Sequence, residues 1–214
     1  MVDYTKPSPE PAPGAKINLT KGSPTVSLTK SGSATGKLRV NLNWDATGGQ
    51  PVKKGWFGGG GSGIDLDLGC LYELEDGRVG VVQALGDTFG SFDHAPFIYL
   101  DGDDRTGANS GGENLYINLA HADELTRVLV FAFIYEGAAS WDRAQGVVTL
   151  FPASGAPIEV KLDEHAGGSR MCAIAMLENR GGELIVSREV RYAAGHQQLD
   201  DLYGWGMSWV AGSK

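Results

Sequence analysis

Two acidic clusters hold the residue types that could do chemistry. Asp65 and Asp67 lie in SGIDLDLG, and Asp101, Asp103, Asp104, Glu113 and Asn114 lie in LDGDDRTGANSGGENLYINL. Carboxylates and amide oxygens at this density suit a hard divalent cation. Calcium takes about six to eight oxygen ligands from carboxylates, amides, backbone carbonyls and water. The interspersed glycines let the backbone turn sharply enough to aim those oxygens inward. A solvated acidic turn is the alternative, because Asp and Gly are ordinary turn residues.

Catalytic patterns are weaker. His94, His121, His165 and His196 show no HExxH spacing and no arrangement around a nucleophile. Asp65 set against Glu113 is the obvious pair for acid–base work, but a hydrolytic enzyme is the lesser expectation and a binding protein the greater. Trp56, Phe57, Trp141 and Trp205 could supply stacking faces for a calcium-dependent adhesion module that takes a protein, a sugar or a membrane surface. Large aromatics are more often buried in cores or against sheet edges.

Acidic residues outnumber basic ones, 26 to 18, for a net charge of −8. That argues against a nonspecific nucleic-acid binder, which needs clustered Lys and Arg, and fits a protein that attracts cations. A hydrophobic share of 42% is ample for a core. Cys70 and Cys172 each sit in a strand-like apolar run, LGCLYEL and RMCAIAML, so buried free thiols are expected rather than a redox pair. The opening MVDYTKPSPEPAPG lacks the apolar region of a secretory signal, and no run is long enough to span a bilayer. A cytoplasmic protein is the expectation, one that meets membranes peripherally if at all.

The elements that must position the acidic clusters read as strands. Residues 1–15 hold four prolines and are expected to form a disordered tail, with the domain covering 16–214. From Lys16 the apolar positions recur with period two. Leu38, Val40, Leu42 and Trp44 alternate with Arg39, Asn41 and Asn43, which predicts one buried and one wet face. The stretch Ala46 to Gly63 breaks the pattern with a glycine run and is expected to be a mobile insertion. Ile64, Leu66, Leu68, Cys70, Tyr72 and Leu74 restore it and place Asp65 and Asp67 together on the opposite face. The most apolar runs, Val128 to Tyr135 and Met171 to Leu177, are expected as central strands buried on both faces. Gly181 to Glu183 reads as a hairpin turn, and Arg188 and Arg191 are expected to face solvent. Helix is predicted only as a turn at Ala120 to Leu125 and a short amphipathic end at His196 to Trp209. About ten short strands at this spacing predict an all-β fold, a β-sandwich of two mostly antiparallel sheets with few short helices. Loops from distant parts of a sandwich gather at its ends, which could bring the two acidic clusters together.

Five segments, in this order, resemble the TerD family of tellurium-resistance and stress-response proteins. They are INLTKGSPTVSLTK, KLRVNLNWD, IDLDLGCLYEL, GDDRTGANSGGENLYINL and VLVFAFIYEG, and the resemblance covers roughly residues 16–209. It implies a β-sandwich that binds Ca2+ through acidic loops at one end. Carried over by position, the implied metal ligands are Asp65, Asp67, Asp103 and Asp104. Glu113 and Asn114 close the loop and Glu136 is a further candidate, with Asp45 and Asp101 as supports. The implied function is a non-enzymatic calcium-binding stress-response protein, with calcium ions as its first partner and other stress-response proteins or self-association beyond them. The chain departs from the family where ANSGGEN replaces a denser acidic run. Fewer carboxylates there mean fewer sites or weaker ones.

Overall fold

The computed structural model describes residues 16–45, 64–102, 112–136, 141–162, 164 and 166–210. The segment 1–15 and the insertion 46–63, with Trp56 and Phe57, lie outside these residues, as do Asp163 and His165. Among the described residues the first strands are β1 (Ile17–Asn18), β2 (Thr25–Ser27), β3 (Lys37–Asn43), β4 (Asp65–Leu74), β5 (Val79–Gln83), β6 (Gly90–Ser91) and β7 (Ile98–Leu100). They are followed by β8 (Glu113–Asn118), β9 (Leu125–Glu136), β10 (Gly146–Phe151), β11 (Ile158–Leu162), β12 (Met171–Arg180) and β13 (Glu183–Ala193). Two helices, α1 (Trp141–Ala144) and α2 (His196–Tyr203), and a 3-10 segment at Leu119–Glu124 complete the elements.

The strands form two sheets, as the alternation predicted. One runs β1-β11-β10-β3-β8-β7-β6 and the other β2-β13-β12-β9-β4-β5. The pairings are antiparallel except β1 with β11, where Ile17 meets Ile158 in parallel. Between the sheets lies the main core. β3 contributes Leu38, Val40 and Leu42, β8 contributes Leu115 and Ile117, and β4 contributes Leu66, Leu68 and Cys70.

β9 and β12 are central, and their unbroken apolar runs have a physical reason: each face of these strands meets a different apolar layer. In β9, Val128, Val130, Ala132 and Ile134 point between the sheets, while Leu129, Phe131 and Phe133 point to the opposite face. There they pack under α2 and the segment after it, against Leu199 and Trp205. β12 carries one extra residue, Ile174, relative to β9. The bulge swaps the inward positions from Cys172 and Ile174 to Ala175 and Leu177. Gly69 keeps β4 close to this layer, because a Cβ there would press on the Phe131 ring and the Val82 carbonyl oxygen.

Turns and caps follow their residues. Gly181 and Gly182, both with positive φ, make the two-residue hairpin between β12 and β13, with Arg180 opposite Glu183. α2 stops at Tyr203, short of the expected Trp209, because Gly204 takes the left-handed conformation and returns its N–H to the Asp200 carbonyl. The segment beyond folds back onto the helix. The buried Asp200 carboxylate accepts the Gly206 and Met207 N–H groups at 2.8 and 3.0 Å and the Trp209 indole N–H at 3.0 Å. Arg127 fastens the same segment from β9. It donates to Glu73 at 2.6 Å and to the Tyr203 carbonyl at 3.0 Å, and lies over the Trp205 ring.

Both cysteines are buried and free, and burial pushes both thiols well above the usual thiol range. Arg191 is exposed, as expected. Arg188 is not: its side chain is only 11% exposed and pairs with Glu164 at 3.0 Å. Hydrogen bonds from Arg188 and then Lys21 hold the Glu164 carboxyl below its usual range. No helix among the described residues is long and apolar enough to cross a membrane.

Candidate metal centre

Asp65 and Asp67 open β4, two residues apart, so alternation sends both to one side of the strand. Their neighbours Leu66 and Leu68 fill the inter-sheet core. Asp67 stands opposite Phe133 and Asp65 opposite Glu136 in the β4–β9 ladder. Asp67 is fully buried and Asp65 is 7% exposed, while Glu136 at the strand end is exposed. Two carboxylates directly across an antiparallel ladder repel each other unless a positive charge lies between or beside them.

Glu113 comes from the other sheet. It begins β8 opposite Leu42 of β3 and points into the sandwich with Leu115 and Ile117, at 2% exposure. Gly112 makes this entry possible. Its φ of +62° is a conformation L side chains rarely adopt, and a Cβ there would collide with the Leu42 carbonyl oxygen. Glu113 then reaches across to β4, where its Oε2 accepts the Leu68 backbone N–H at 2.7 Å. The ladder to β5 ends at Gly69 paired with Gln83. Glu113 thus caps a strand N–H one residue past the end of that ladder. A carboxylate from β8 in the seven-stranded sheet is thereby tied to the end of β4 that carries Asp65 and Asp67.

Asn114, adjacent in sequence, goes the other way. Its side chain lies on the outer face of β8, where Oδ1 accepts from Arg39 Nη1 and from Asn41 Nδ2, both at 3.0 Å. Strand alternation separates it from Glu113, and its carbonyl oxygen serves two donors there. Asp101 is exposed and accepts the Tyr116 hydroxyl at 3.1 Å. The Asp45 backbone N–H donates to the Ala144 carbonyl. Asp103 and Asp104 lie outside the described residues.

The structure therefore places Asp65, Asp67, Glu113 and Glu136 at one end of the sandwich, with Asp67 on the face of β4 shared with Phe133 and Glu113 on the inner face, and sets Asn114 on the outer face of the other sheet. Among the described residues no three His, Cys, Asp or Glu side chains form a metal-holding group by themselves. The donors present are oxygens alone, which fits a hard cation such as Ca2+ better than zinc.

The other candidates are dispersed. His121 stacks on Phe97 and contacts Glu124 at 2.8 Å, while His196 Nε2 lies 2.8 Å from Gln83 Oε1 in the layer under α2. Trp141 and Trp205 are buried packing residues, so neither offers a stacking face. The Arg39–Asn114–Asn41 clamp was not foreseen. Its one trace in the sequence is the wet side of the β3 alternation.

No family model matches the chain. Over 200 residues it is 44% identical to the tellurium resistance protein TerA of Alcaligenes sp., covering 94% of this chain and 59% of that protein. It is also 34% identical to the tellurium resistance protein TerZ of Serratia marcescens over 124 residues, 54% of this chain and 58% of that one. The chain thus spans a little under three fifths of the length of these curated relatives. Among solved structures, a homologue of the telluride resistance protein TerD from Streptomyces coelicolor A3(2) superposes with a TM-score of 0.56 at 22% identity, over 78% of this chain and 95% of that one. A crystal structure of a protein of unknown function superposes with a TM-score of 0.59 at 18% identity, over 82% of this chain and 99% of that one. At such identities these two likenesses speak for the fold alone.

Proposed function

The chain belongs to the tellurium-resistance family as a TerA/TerD-like member, and from that premise we propose that it is a non-enzymatic calcium-binding protein of the stress response. The observation that carries this reading is acid withdrawn from water at one end of the sandwich. Asp65, Asp67 and Glu113 are 7%, 0% and 2% exposed, and Asp65 faces Glu136 across the ladder.

Moving a carboxylate out of water is costly unless it is hydrogen-bonded or neutralised. Glu113 has the Leu68 N–H. A divalent cation bound at this end would tie β4 and β9 of one sheet to β8 of the other. Carboxylates drawn from Asp65, Asp67, Glu113 and Glu136 would hold it together with Asp103 and Asp104, which lie outside the described residues. The role proposed is binding and bracing rather than turnover, since among the described residues at this end no nucleophile lies beside a base. The setting proposed is the cytoplasm, with other stress-response proteins or a second copy as partners, no nucleic acid, and membranes at most peripherally.

Calorimetric titration of chelator-stripped protein with calcium, using magnesium as the control, tests this. Saturable calcium binding with a raised Tm is expected, worth about 2.7 kcal/mol of stability at a free concentration of about 100 times Kd. Asp67→Asn and Glu113→Gln should each weaken it. The absence of saturable binding at millimolar calcium would overturn the proposal.

A further inference from the structure

We infer that the open cleft on the outer face of the seven-stranded sheet binds a small oxyanion, either free or carried as the phosphate group of a metabolite. This inference is independent of the calcium reading, since it uses the opposite side of β8.

The cleft has a volume of about 520 Å³ and is lined by Lys37, Arg39, Asn114, Tyr116 and Phe151. Lys37 and Arg39 are two residues apart on β3, so they project from the same face about 7 Å apart along the strand. Each is held over an aromatic ring. The Lys37 ammonium is 4.7 Å from the Tyr116 centroid and the Arg39 guanidinium 4.1 Å from that of Phe151. Such stacking fixes a long side chain in one place without using up its N–H groups.

Hydrogen bonding leaves donors facing the cleft. Arg39 spends one N–H on Asn114 Oδ1, and Asn41 donates to the same oxygen. With two donors on Oδ1, the orientation of the Asn114 amide is fixed and its NH2 group points away from both. Among the described residues Asn114 donates to no partner, and neither Lys37 nor Arg39 pairs with a carboxylate. Asp101 accepts the Tyr116 hydroxyl. A half-buried guanidinium that among the described residues has no counter-charge, in a chain of net charge −8, is more than surface decoration. It is what a site for a bidentate oxyanion requires.

The test is calorimetric titration of the full chain, in chelator and at low salt, with inorganic phosphate, a nucleoside monophosphate and tellurite. Saturable, salt-sensitive binding is expected. It should weaken roughly tenfold or more in Arg39→Gln, since hydrogen bonds between charged partners are the strong ones. Lys37→Gln should weaken it less. Asn114→Asp, which preserves shape but sets a carboxylate against Arg39, should abolish binding without lowering Tm. Tighter binding of the nucleotide than of phosphate would assign an esterified ligand, whereas equal or tighter binding of phosphate or tellurite would assign the free oxyanion. The inference is overturned if none of the three binds saturably at millimolar concentration, or if Arg39→Gln binds as well as the parent.

Discussion

On the outer face of the six-stranded sheet stand Leu71, Leu129, Phe131, Phe133, Met171 and Met176, roofed by α2 and the segment that follows it. On the outer face of the seven-stranded sheet the corresponding positions of β3 and β8 are Lys37, Arg39, Asn41, Asn114 and Tyr116, and no helix among the described residues covers them. The difference arises within single strands. β9 alternates between two apolar layers and so reads as one continuous hydrophobic run, whereas β3 alternates between core and water and reads as a strict two-residue period. One face is sealed by apolar packing, and the polar residues of the other are left partly open among the described residues.

That division predicts a hierarchy of effects. Truncating Phe131 to Ala, under the roof, should destabilise the protein by about 3–5 kcal/mol. The same truncation at half-buried Phe151 on the open face should cost about 1–2 kcal/mol, from partial burial plus one cation–π contact. Urea unfolding of the two variants checks this, and similar losses at both sites would break the distinction.

Asp200→Ala comes next. It removes the acceptor of three hydrogen bonds and should cost about 1–3 kcal/mol. Loss of amide protection confined to residues 205–209 and α2 would identify the carboxylate as the fastener of the roof.

The smallest effect concerns pH. Burial holds the His196 imidazole below the usual histidine range, and it sits against Gln83 and the rings of Phe131, Phe133 and Trp209. The unfolded chain therefore binds a proton more readily than the folded one. Stability should fall as pH drops below the unfolded value of about 6.5. His196→Gln should flatten that slope between about pH 7 and 5, and an unaltered slope would place the titration elsewhere.

Much of this was legible in the sequence because the governing interactions are local. The β3 alternation, the two central strands and the Gly181–Gly182 hairpin all follow from periodicity or turn chemistry within a dozen residues. The parallel pairing of Ile17 with Ile158 was not, since no local pattern encodes a partner so distant. Arg188 resembled a solvent-facing strand residue until Glu164 was found beside it. For the site, alternation held more than was taken from it. Reading Glu113 and Asn114 as one loop set them together, whereas β8 begins at Glu113 and sends the pair to opposite faces. The Asp65–Glu136 opposition depended on the β4–β9 register, including its bulge, which composition could not supply.

The borders of the two sheets have a consequence for assembly. The outermost strands are β1 and β6, of two residues each, on one sheet, and β2 and β5, of three and five residues, on the other. Rims this short present few unpaired backbone groups in a row, so among the described residues there is little template on which a neighbouring chain could extend the ladder. Growth by strand addition, the route to fibrils, is thereby blunted along these rims.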